Sequence, residues 1–344
     1  MKKRVAINGL GRIGNQVLRH YINSLPKNCE IVAANTSSVE DAAYLLKYDS
    51  VHGQADFDIE TKENKLIIDG HEITIVSNHN PSELPWKELG IDIVLECTGR
   101  FVEASKAQAH IDAGAKKVLI SAPGKNVDLT IVKGVNEVEY DNEKHHIISN
   151  ASCTTNSLAP VMKVLEENFG VQNAMITTTH AYTSSQVTVD KRSKKRRRGR
   201  ASAVNIIPTS TGAAIATVEV IPALEGKMEA MALRVPVPDG AITEVVALLN
   251  KSVTTEILNS TFERASQNEL AGILEFTTEE IVSSDIIGNR HSSIVDGLST
   301  AVVGDKMVKV MAWYDNEYGY SQRLLEVADY IAEKMEFSDG KARD

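Results

Sequence analysis

Two short segments carry residue types at spacings that could do chemistry. In the first, Asn8-Gly9-Leu10-Gly11-Arg12-Ile13-Gly14, a G-x-G-x-x-G pattern lies between the apolar run at residues 4–8 and a helical pattern through Val17, Leu18, Tyr21 and Ile22. In that setting Gly9 permits a tight turn, Gly11 lets backbone approach a pyrophosphate, and Gly14 lets helix and strand pack closely. The helix start adds free N–H groups and a favourable dipole for an anion. The context predicts a dinucleotide site; the plain alternative is an ordinary glycine-rich turn. In the second segment, residues 149–156 (SNASCTTN), Cys153 opens an amphipathic helix marked by Leu158, Val161, Met162, Leu165 and Phe169. A cysteine on a first helical turn feels the dipole, which favours the thiolate.

The other two cysteines have no such setting: Cys29 lies just after Pro26 and Lys27, and Cys97 ends an apolar run, so both read as packing residues. Of nine histidines, His180 ends the apolar, threonine-rich run Ala174–Thr179, at a carboxyl end where sites often collect. A Cys153/His180 pair would make an ion-paired thiolate suited to covalent catalysis, although a lone histidine is more often structural. The remaining histidines, His20, His52, His71, His79, His110, His145, His146 and His291, show no metal-ligand spacing, and no metal is expected. The acid that normally follows a dinucleotide turn by about 20 residues binds a ribose hydroxyl. Here the second apolar run ends Asn35-Thr36-Ser37-Ser38, with no acid before Glu40. Amides and hydroxyls would hydrogen-bond a 2′-phosphate that a carboxylate would repel, which favours NADP and leaves NAD open.

These residues need a scaffold. Short apolar runs at Ile73–Val76, Ile93–Leu95, Val118–Ile120 and Ile147–Ile148, with a helix over Ala104–Ala113, alternate as a parallel, doubly wound α/β sheet does. After about residue 150 longer strands are predicted at Met175–Thr179, Ala230–Val235, Ile242–Leu249 and Val308–Trp313, which suggests an α+β domain with a mixed or antiparallel sheet. A final helix carries one apolar stripe, Leu324, Leu325, Val327, Ala328, Ile331 and Met335, and the only disordered tail is expected after Ser338.

The 344 residues suffice for two domains, and 42% apolar with 24% charged residues excludes collagen, coiled coil and disorder. No apolar stretch reaches the roughly 20 residues of a membrane helix. The Met1-Lys2-Lys3-Arg4 start is broken by Asn8, Gly9, Arg12 and Asn15, so no cleaved signal is expected. Three cysteines fit a reducing cytoplasm. The net charge of −9 averages two unlike parts, because residues 191–200 (KRSKKRRRGR) hold eight cations and the remainder carries −17. A solvated loop would leave those cations repelling one another. A nucleic-acid footprint lacks interleaved aromatics and faces an acidic remainder, which argues against nucleic acid as the partner.

Taken together, NGLGRIG (8–14), SNASCTTN (149–156), HAYT (180–183), NIIPTSTGAA (205–214) and WYDNEYGYS (313–321) resemble phosphorylating glyceraldehyde-3-phosphate dehydrogenases, in order and over essentially the whole chain. The resemblance implies a Rossmann domain over 1–151, a catalytic domain over 152–316, a C-terminal helix over 317–344 returning to the first domain, and a homotetramer. It implies a Cys153 hemithioacetal and thioester with His180 as base, acting on glyceraldehyde 3-phosphate and inorganic phosphate. Thr183 and Arg234 would hold the substrate phosphate; Ser152, Thr154, Thr211, Gly212 and Arg200 would hold the attacking phosphate. Arg12, Ile13, Thr98 and Ser121 match cofactor contacts, Asn316 the nicotinamide carboxamide partner, and Tyr320 a residue near the ring.

Some positions depart from the family pattern. Asn35 stands for a ribose-binding aspartate, Ser157 for a second cysteine, and Lys191-Arg192 for Leu-Pro or Gly-Pro. Pro238-Asp239-Gly240-Ala241 replaces Pro-Asn-Val-Ser. In the family the 191–200 segment reaches a neighbouring subunit's adenosine site, so Lys191 and Arg192 could meet the 2′-phosphate of NADP. Erythrose-4-phosphate dehydrogenase is the competing activity; the intact Pro208–Gly212 segment favours the phosphorylating enzyme. The direction of flux, toward glycolysis or gluconeogenesis, stays open.

Overall fold

The computed structural model describes residues 1–340, with side chains through Met335. Its contacts form two compact units, residues 1–151 with the chain from Ser321 onward, and residues 152–320.

The first unit runs β1 (Lys3–Asn8), α1 (Arg12–Ser24), β2 (Cys29–Asn35), α2 (Val39–Lys47), β3 (Ile59–Lys62), β4 (Lys65–Ile68), β5 (His71–Val76), β6 (Ile93–Glu96), α3 (Ala104–Asp112), β7 (Lys117–Ile120), β8 (Leu129–Thr130) and β9 (Ile147–Ser149). One sheet holds them in the order β3-β4-β5-β2-β1-β6-β7-β9-β8. From β5 to β8 every pairing is parallel. Strands β1, β6 and β7 are buried on both faces, which is why they read as continuous apolar runs rather than alternating ones. The β3–β4–β5 meander at one edge is antiparallel; β5 contains the expected run Ile73–Val76, whereas β3 and β4 were not foreseen, since they mix charge with Ile and Leu. Helix α1 stops at Leu25, in the left-handed region at φ 44°, just before Pro26. Ser38 caps α2 by accepting the N–H of Asp41.

In the second unit follow α4 (Cys153–Phe169), β10 (Val171–Ala181), β11 (Ile207–Ser210), α5 (Ala213–Val220), β12 (Met228–Val235), β13 (Ala241–Leu249), α6 (Thr255–Gln267), β14 (Leu274–Thr277), β15 (Ser293–Asp296), β16 (Ala301–Val303) and β17 (Met307–Tyr314). Its sheet is mixed, in the order β11-β12-β10-β13-β17-β15-β14, with β16 beside β17. The apolar stripe of α4 (Leu158, Val161, Met162, Leu165 and Phe169) shares a core with Ile176, Val245 and Val310 from that sheet.

Helix α7 (Tyr318–Gly340) closes the chain. From Leu324 to Met335 its stripe shares the first unit's core with Val5, Ile7, Val17 and Leu18. Asp329 fastens it there by accepting the N–H groups of Asn28 and Cys29 at the start of β2. The disorder expected after Ser338 does not begin there, because helix continues to Gly340; residues 341–344 lie outside the described residues.

Candidate active site

In the first unit the glycine turn joins β1 to α1. Gly9 has φ +100°, and a Cβ on it would come within 2.8 Å of the Thr98 methyl. A Cβ on Gly14 would stand 2.2 Å from the Gly9 carbonyl oxygen. Both are therefore fixed by the fold. Gly11 is different: a Cβ there would meet no protein atom within 4 Å. It lines a cavity of about 370 Å³ together with Thr36, Ser37, Asn78, Thr98 and Arg100. Among the described residues nothing requires a glycine at 11, but a pyrophosphate against the α1 N-terminus would. The residues present thus fit a dinucleotide.

Among the described residues no carboxylate lines that cavity. Asn35 lies at its edge, but its amide is occupied: Nδ2 donates to Oδ1 of Asn8 and to the Asn78 carbonyl, and Oδ1 accepts the Asn78 N–H. Asn35 ties strand ends together, and the hydroxyls beside the cavity belong to Thr36 and Ser37. Arg12 makes a two-pronged contact with Asp49 at 2.7 and 3.1 Å. Against burial, which would raise it, that fork and the N–H groups of His52 and Val51 hold the Asp49 carboxyl at about 2. Ile13 is half-buried against the core, and its carbonyl lies 3.5 Å from the Ser321 hydroxyl. Burial pushes the Cys97 thiol up to about 12, against the pull of the nearby Ser121 hydroxyl.

A buried polar chain that the sequence did not disclose lies under this turn. The Trp86 indole N–H donates to Nδ1 of His110, which leaves Nε2–H of His110 to donate to Glu96 at 3.0 Å. Glu96 also accepts from Asn8 and from the backbone N–H and hydroxyl of Thr98. Asn8 in turn receives Asn35, so one run of bonds connects the ends of β1, β2 and β6.

In the second unit Ser152 caps α4 by accepting the Thr155 N–H, which puts Cys153 on the first turn. The residue two before it, Ala151, sits at φ 54°, a left-handed backbone that costs a non-glycine residue roughly 1 kcal/mol. Sγ of Cys153 lies 3.4 Å from Nε2 of His180, near the end of β10. Burial pushes the Cys153 thiol up, opposed by the Arg234 guanidinium and the hydroxyl and N–H of Thr154. His180 is nearly fully buried; burial and then Arg234 pull it down to about 3. Burial thus acts on both partners against the ion pair expected from the sequence. The helix dipole is opposed by desolvation.

Arg234 pairs with His180 across β12 and β10, and its Nη1 lies 2.6 Å from Nδ1 of His180 and 2.7 Å from the Ala181 carbonyl. Thr183 shares a hydrogen bond with Ser185. Thr154 is buried, with its hydroxyl on that of Tyr314, which Thr178 also reaches. The Thr211 hydroxyl accepts the Ala213 N–H, and Gly212 stands at the start of α5. Arg200, expected at a phosphate, is exposed and paired with Asp190 at 2.7 Å. Arg198, which the sequence reading passed over, donates to the Thr209 hydroxyl and the Ser210 carbonyl, and its charge bears on His180 and Arg234. A uniform run of cations hides which one turns inward.

The basic segment is an ordered loop. Lys191 N–H donates to the Gly199 carbonyl, and Lys195 donates to the Ser210 hydroxyl. It also has a counter-ion in Asp190, which corrects the expectation that its cations repel unopposed. Lys191 and Arg192 are exposed. Asn316 is buried, and among the described residues no donor reaches its Oδ1, as suits a residue awaiting an amide. Tyr320 is buried at the first turn of α7.

A phosphate-cradling turn on a Rossmann sheet, and a thiol–imidazole pair on a mixed sheet, define NAD(P)-dependent oxidoreductases that work through a cysteine. Residues 3–104 match the family description "Glyceraldehyde 3-phosphate dehydrogenase, NAD binding domain", and residues 152–316 match its C-terminal domain. Glyceraldehyde-3-phosphate dehydrogenase 2 of Bacillus subtilis is 49% identical over 97% of this chain and 98% of its own length. The Geobacillus stearothermophilus glyceraldehyde-3-phosphate dehydrogenase is 50% identical over 97% and 99%. That of Streptomyces coelicolor is 47% identical over 97% and 100%. The chain belongs to the glyceraldehyde-3-phosphate dehydrogenase family, as a phosphorylating, NAD(P)-dependent aldehyde dehydrogenase. No helix among the described residues is long and apolar enough to cross a membrane.

Proposed function

We propose that the chain oxidises glyceraldehyde 3-phosphate to 1,3-bisphosphoglycerate through Cys153 and His180, and that it prefers NADP to NAD. The observation that carries the mechanism is the 3.4 Å approach of the Cys153 sulfur to Nε2 of His180. The sulfur attacks the aldehyde carbon, the C=O π bond opens, and the thiol proton passes to the aldehyde oxygen, forming a hemithioacetal. His180 takes the hemithioacetal O–H proton as the C–H bond breaks, leaving a thioester. Nicotinamide, when bound, supplies the acceptor for the hydride. Inorganic phosphate then attacks the thioester carbonyl, the C–S bond breaks, and the sulfur recovers a proton from His180.

In this reading Arg234 and Thr183 hold the substrate phosphate. Ser152, Thr154, Thr211, Gly212 and Arg200 serve the attacking one. Arg198 joins them, because its guanidinium lies nearer the imidazole's field than that of Arg200 does. Cofactor contacts fall to Gly9, Gly11, Gly14, Arg12, Ile13, Thr98 and Ser121, with Asn316 on the carboxamide and Tyr320 near the ring. NADP preference draws support from the carboxylate-free cavity beside Thr36 and Ser37, with Arg100 on its wall. Lys191 and Arg192 would reach a 2′-phosphate from a neighbouring subunit of a cytoplasmic homotetramer. Exposed Met175 and Met231, on the sheet face opposite buried Ile176 and Ala232, supply apolar surface for such an assembly.

The test is the initial rate with glyceraldehyde 3-phosphate or erythrose 4-phosphate, each with NADP or NAD and with phosphate. Glyceraldehyde 3-phosphate with NADP should give the highest kcat/KM, and Cys153→Ala should abolish turnover while cofactor affinity persists. Turnover near wild type in that variant, or a strong preference for NAD, would refute the corresponding part.

A further inference from the structure

The end of strand β5 brings a histidine to the cavity beside Gly11. Strand β5 runs parallel to β2, with Val76 opposite Asn35, so the two strands end level with one another. The Thr36 N–H donates to the Val76 carbonyl at 3.0 Å, and the Asn35 amide clasps Asn78 at its N–H and its carbonyl. The next residue, His79, lines the same cavity as Thr36 and Ser37. In a dinucleotide-binding sheet the adenosine ribose lies at the end of the second strand, which here is β2.

The residues on either side of His79 are tied down by their side chains, and His79 is not. The amides of Asn78 and Asn80 donate to Glu83 at 3.0 and 2.8 Å, and Oδ1 of Asn80 accepts the Ser82 hydroxyl. Among the described residues the His79 imidazole has no hydrogen-bond or ion-pair partner. The ionisable groups that surround it are Glu83 in its own turn, Glu40 and Asp41 on the first turn of α2, and Cys97 and Arg100 after β6. Helix α3, which packs on the 81–83 turn, adds Lys106, Asp112 and the buried His110. None of them pairs with the imidazole, so a phosphate in the cavity would be its only anion.

We propose that His79 makes the choice between NADP and NAD proton-linked: as an imidazolium it pairs with the 2′-phosphate of NADP, and as a neutral imidazole it holds that phosphate only weakly. The proposal rests on the reading that this cavity takes the adenosine end of NADP. Histidine is the side chain whose charge ordinarily changes between about pH 5 and pH 8. A contact between imidazolium and phosphate is a charge-assisted hydrogen bond, stronger than one from a neutral donor. By reciprocity, protein that carries the proton binds the phosphate better, and binding the phosphate draws a proton onto the protein. A phosphate monoester loses its own second proton at about 6, so above neutrality a proton taken up on binding belongs to the protein. NAD has a hydroxyl at that position and gains nothing from the charge. The preference for NADP therefore falls as the pH rises through the titration of His79, while the hydroxyls of Thr36 and Ser37 serve at every pH.

The probes are 2′,5′-ADP and 5′-ADP, which differ only in the 2′-phosphate, titrated into the full chain in a calorimeter. In the wild type the ratio of their affinities should fall about five- to tenfold from pH 6.5 to pH 8.5, the scale of one charge-assisted hydrogen bond. At pH 7.5, heats measured in buffers of different ionisation enthalpy should show that 2′,5′-ADP takes up a fraction of a proton and 5′-ADP does not. His79→Gln should level the ratio and abolish the uptake, whereas His79→Lys should keep the ratio high at pH 8.5. His79 is exposed, so neither change removes a packed side chain. A level ratio in the wild type, or the same fall and uptake in His79→Gln, would overturn the proposal. Faster turnover with NAD at every pH, with proton uptake through His79 intact, would overturn the NADP preference and leave the linkage standing. Faster turnover with NADP and a level ratio would do the reverse, and failure of 2′,5′-ADP to bind at any pH would overturn both.

Discussion

Nη1 of Arg234 lies 2.6 Å from Nδ1 of His180, at paired positions on adjacent parallel strands. A guanidinium can only donate, so Nδ1 must accept, and the imidazole proton sits on Nε2 facing the Cys153 sulfur. In that tautomer Nε2 cannot take a proton. The Ala181 carbonyl, 2.7 Å from Nδ1, offers the alternative, because a proton on Nδ1 donated there frees Nε2 as a base. The substrate phosphate, an anion where Nδ1 is a neutral acceptor, can draw Arg234 away from it. Arg234→Leu should therefore lower kcat/KM for glyceraldehyde 3-phosphate by about 10- to 100-fold, the loss of a charge-assisted bond of about 1.5–3 kcal/mol. Unphosphorylated glyceraldehyde should react with the variant at the wild-type rate or faster. An equal loss for both aldehydes, measured in parallel initial rates, would refute the coupling.

The depressed His180 has a signed effect on stability. Its folded value of about 3 lies below the ordinary histidine value near 6.5, so folding favours the neutral ring. That contribution is complete above about 6.5 and is lost as the pH falls toward 3. Denaturant titrations at pH 7.5 and pH 4 should show the wild type losing about 3 kcal/mol more than His180→Asn over that interval. Parallel losses in the two proteins would mean the ring is protonated without penalty.

Cofactor choice should separate Asn35 from its neighbours. Because its amide is fully used on Asn8 and Asn78, Asn35→Ala should cost about 1–3 kcal/mol of stability and leave the NADP-to-NAD ratio of kcat/KM nearly unchanged. Thr36→Asp puts a carboxylate beside the cavity and should shift that ratio toward NAD by tenfold or more, about 1.4 kcal/mol. Lys191→Leu with Arg192→Pro should flatten it. A ratio that moves with Asn35→Ala alone would return the discriminating contact to that amide.

What the sequence made legible follows from how local each signal is. The glycine turn and the Cys153 helix start are set by neighbours within a few residues, and each appears where its spacing put it. The Cys153–His180 pair spans 27 residues but needs only a strand end to meet a helix start. The ionisation of that pair is only half legible, because a dipole is visible in a sequence while the desolvation that opposes it depends on packing. That Arg198 turns toward Thr209 and Ser210 while Arg200 pairs with Asp190 is not legible either, since in a run of arginines only the backbone's path tells which one turns inward. Strands β3 and β4, which pair ahead of the legible β5, were hidden by lengths of four residues whose polar members blur any alternation.

The buried chain Trp86–His110–Glu96 is likewise invisible before folding, and its cost structure can be tested. Glu96 is fully buried and accepts from His110, Asn8 and Thr98, so its oxygens have donors on every side. Removing a donor leaves a buried acceptor without one of its partners, which costs more than the net worth of the bond. His110→Ala should then destabilise the protein by about 3–5 kcal/mol, a cavity and a lost charge-assisted bond together, as read by denaturant unfolding. Glu96→Gln should destabilise it too, because an amide placed among donors must turn an N–H toward one of them. It should also loosen the Thr98 loop and weaken ADP-ribose binding, since Thr98 lines the cavity beside Gly11. Glu96→Gln with full stability and unchanged ADP-ribose affinity would show that Thr98 is held by the glycine turn alone.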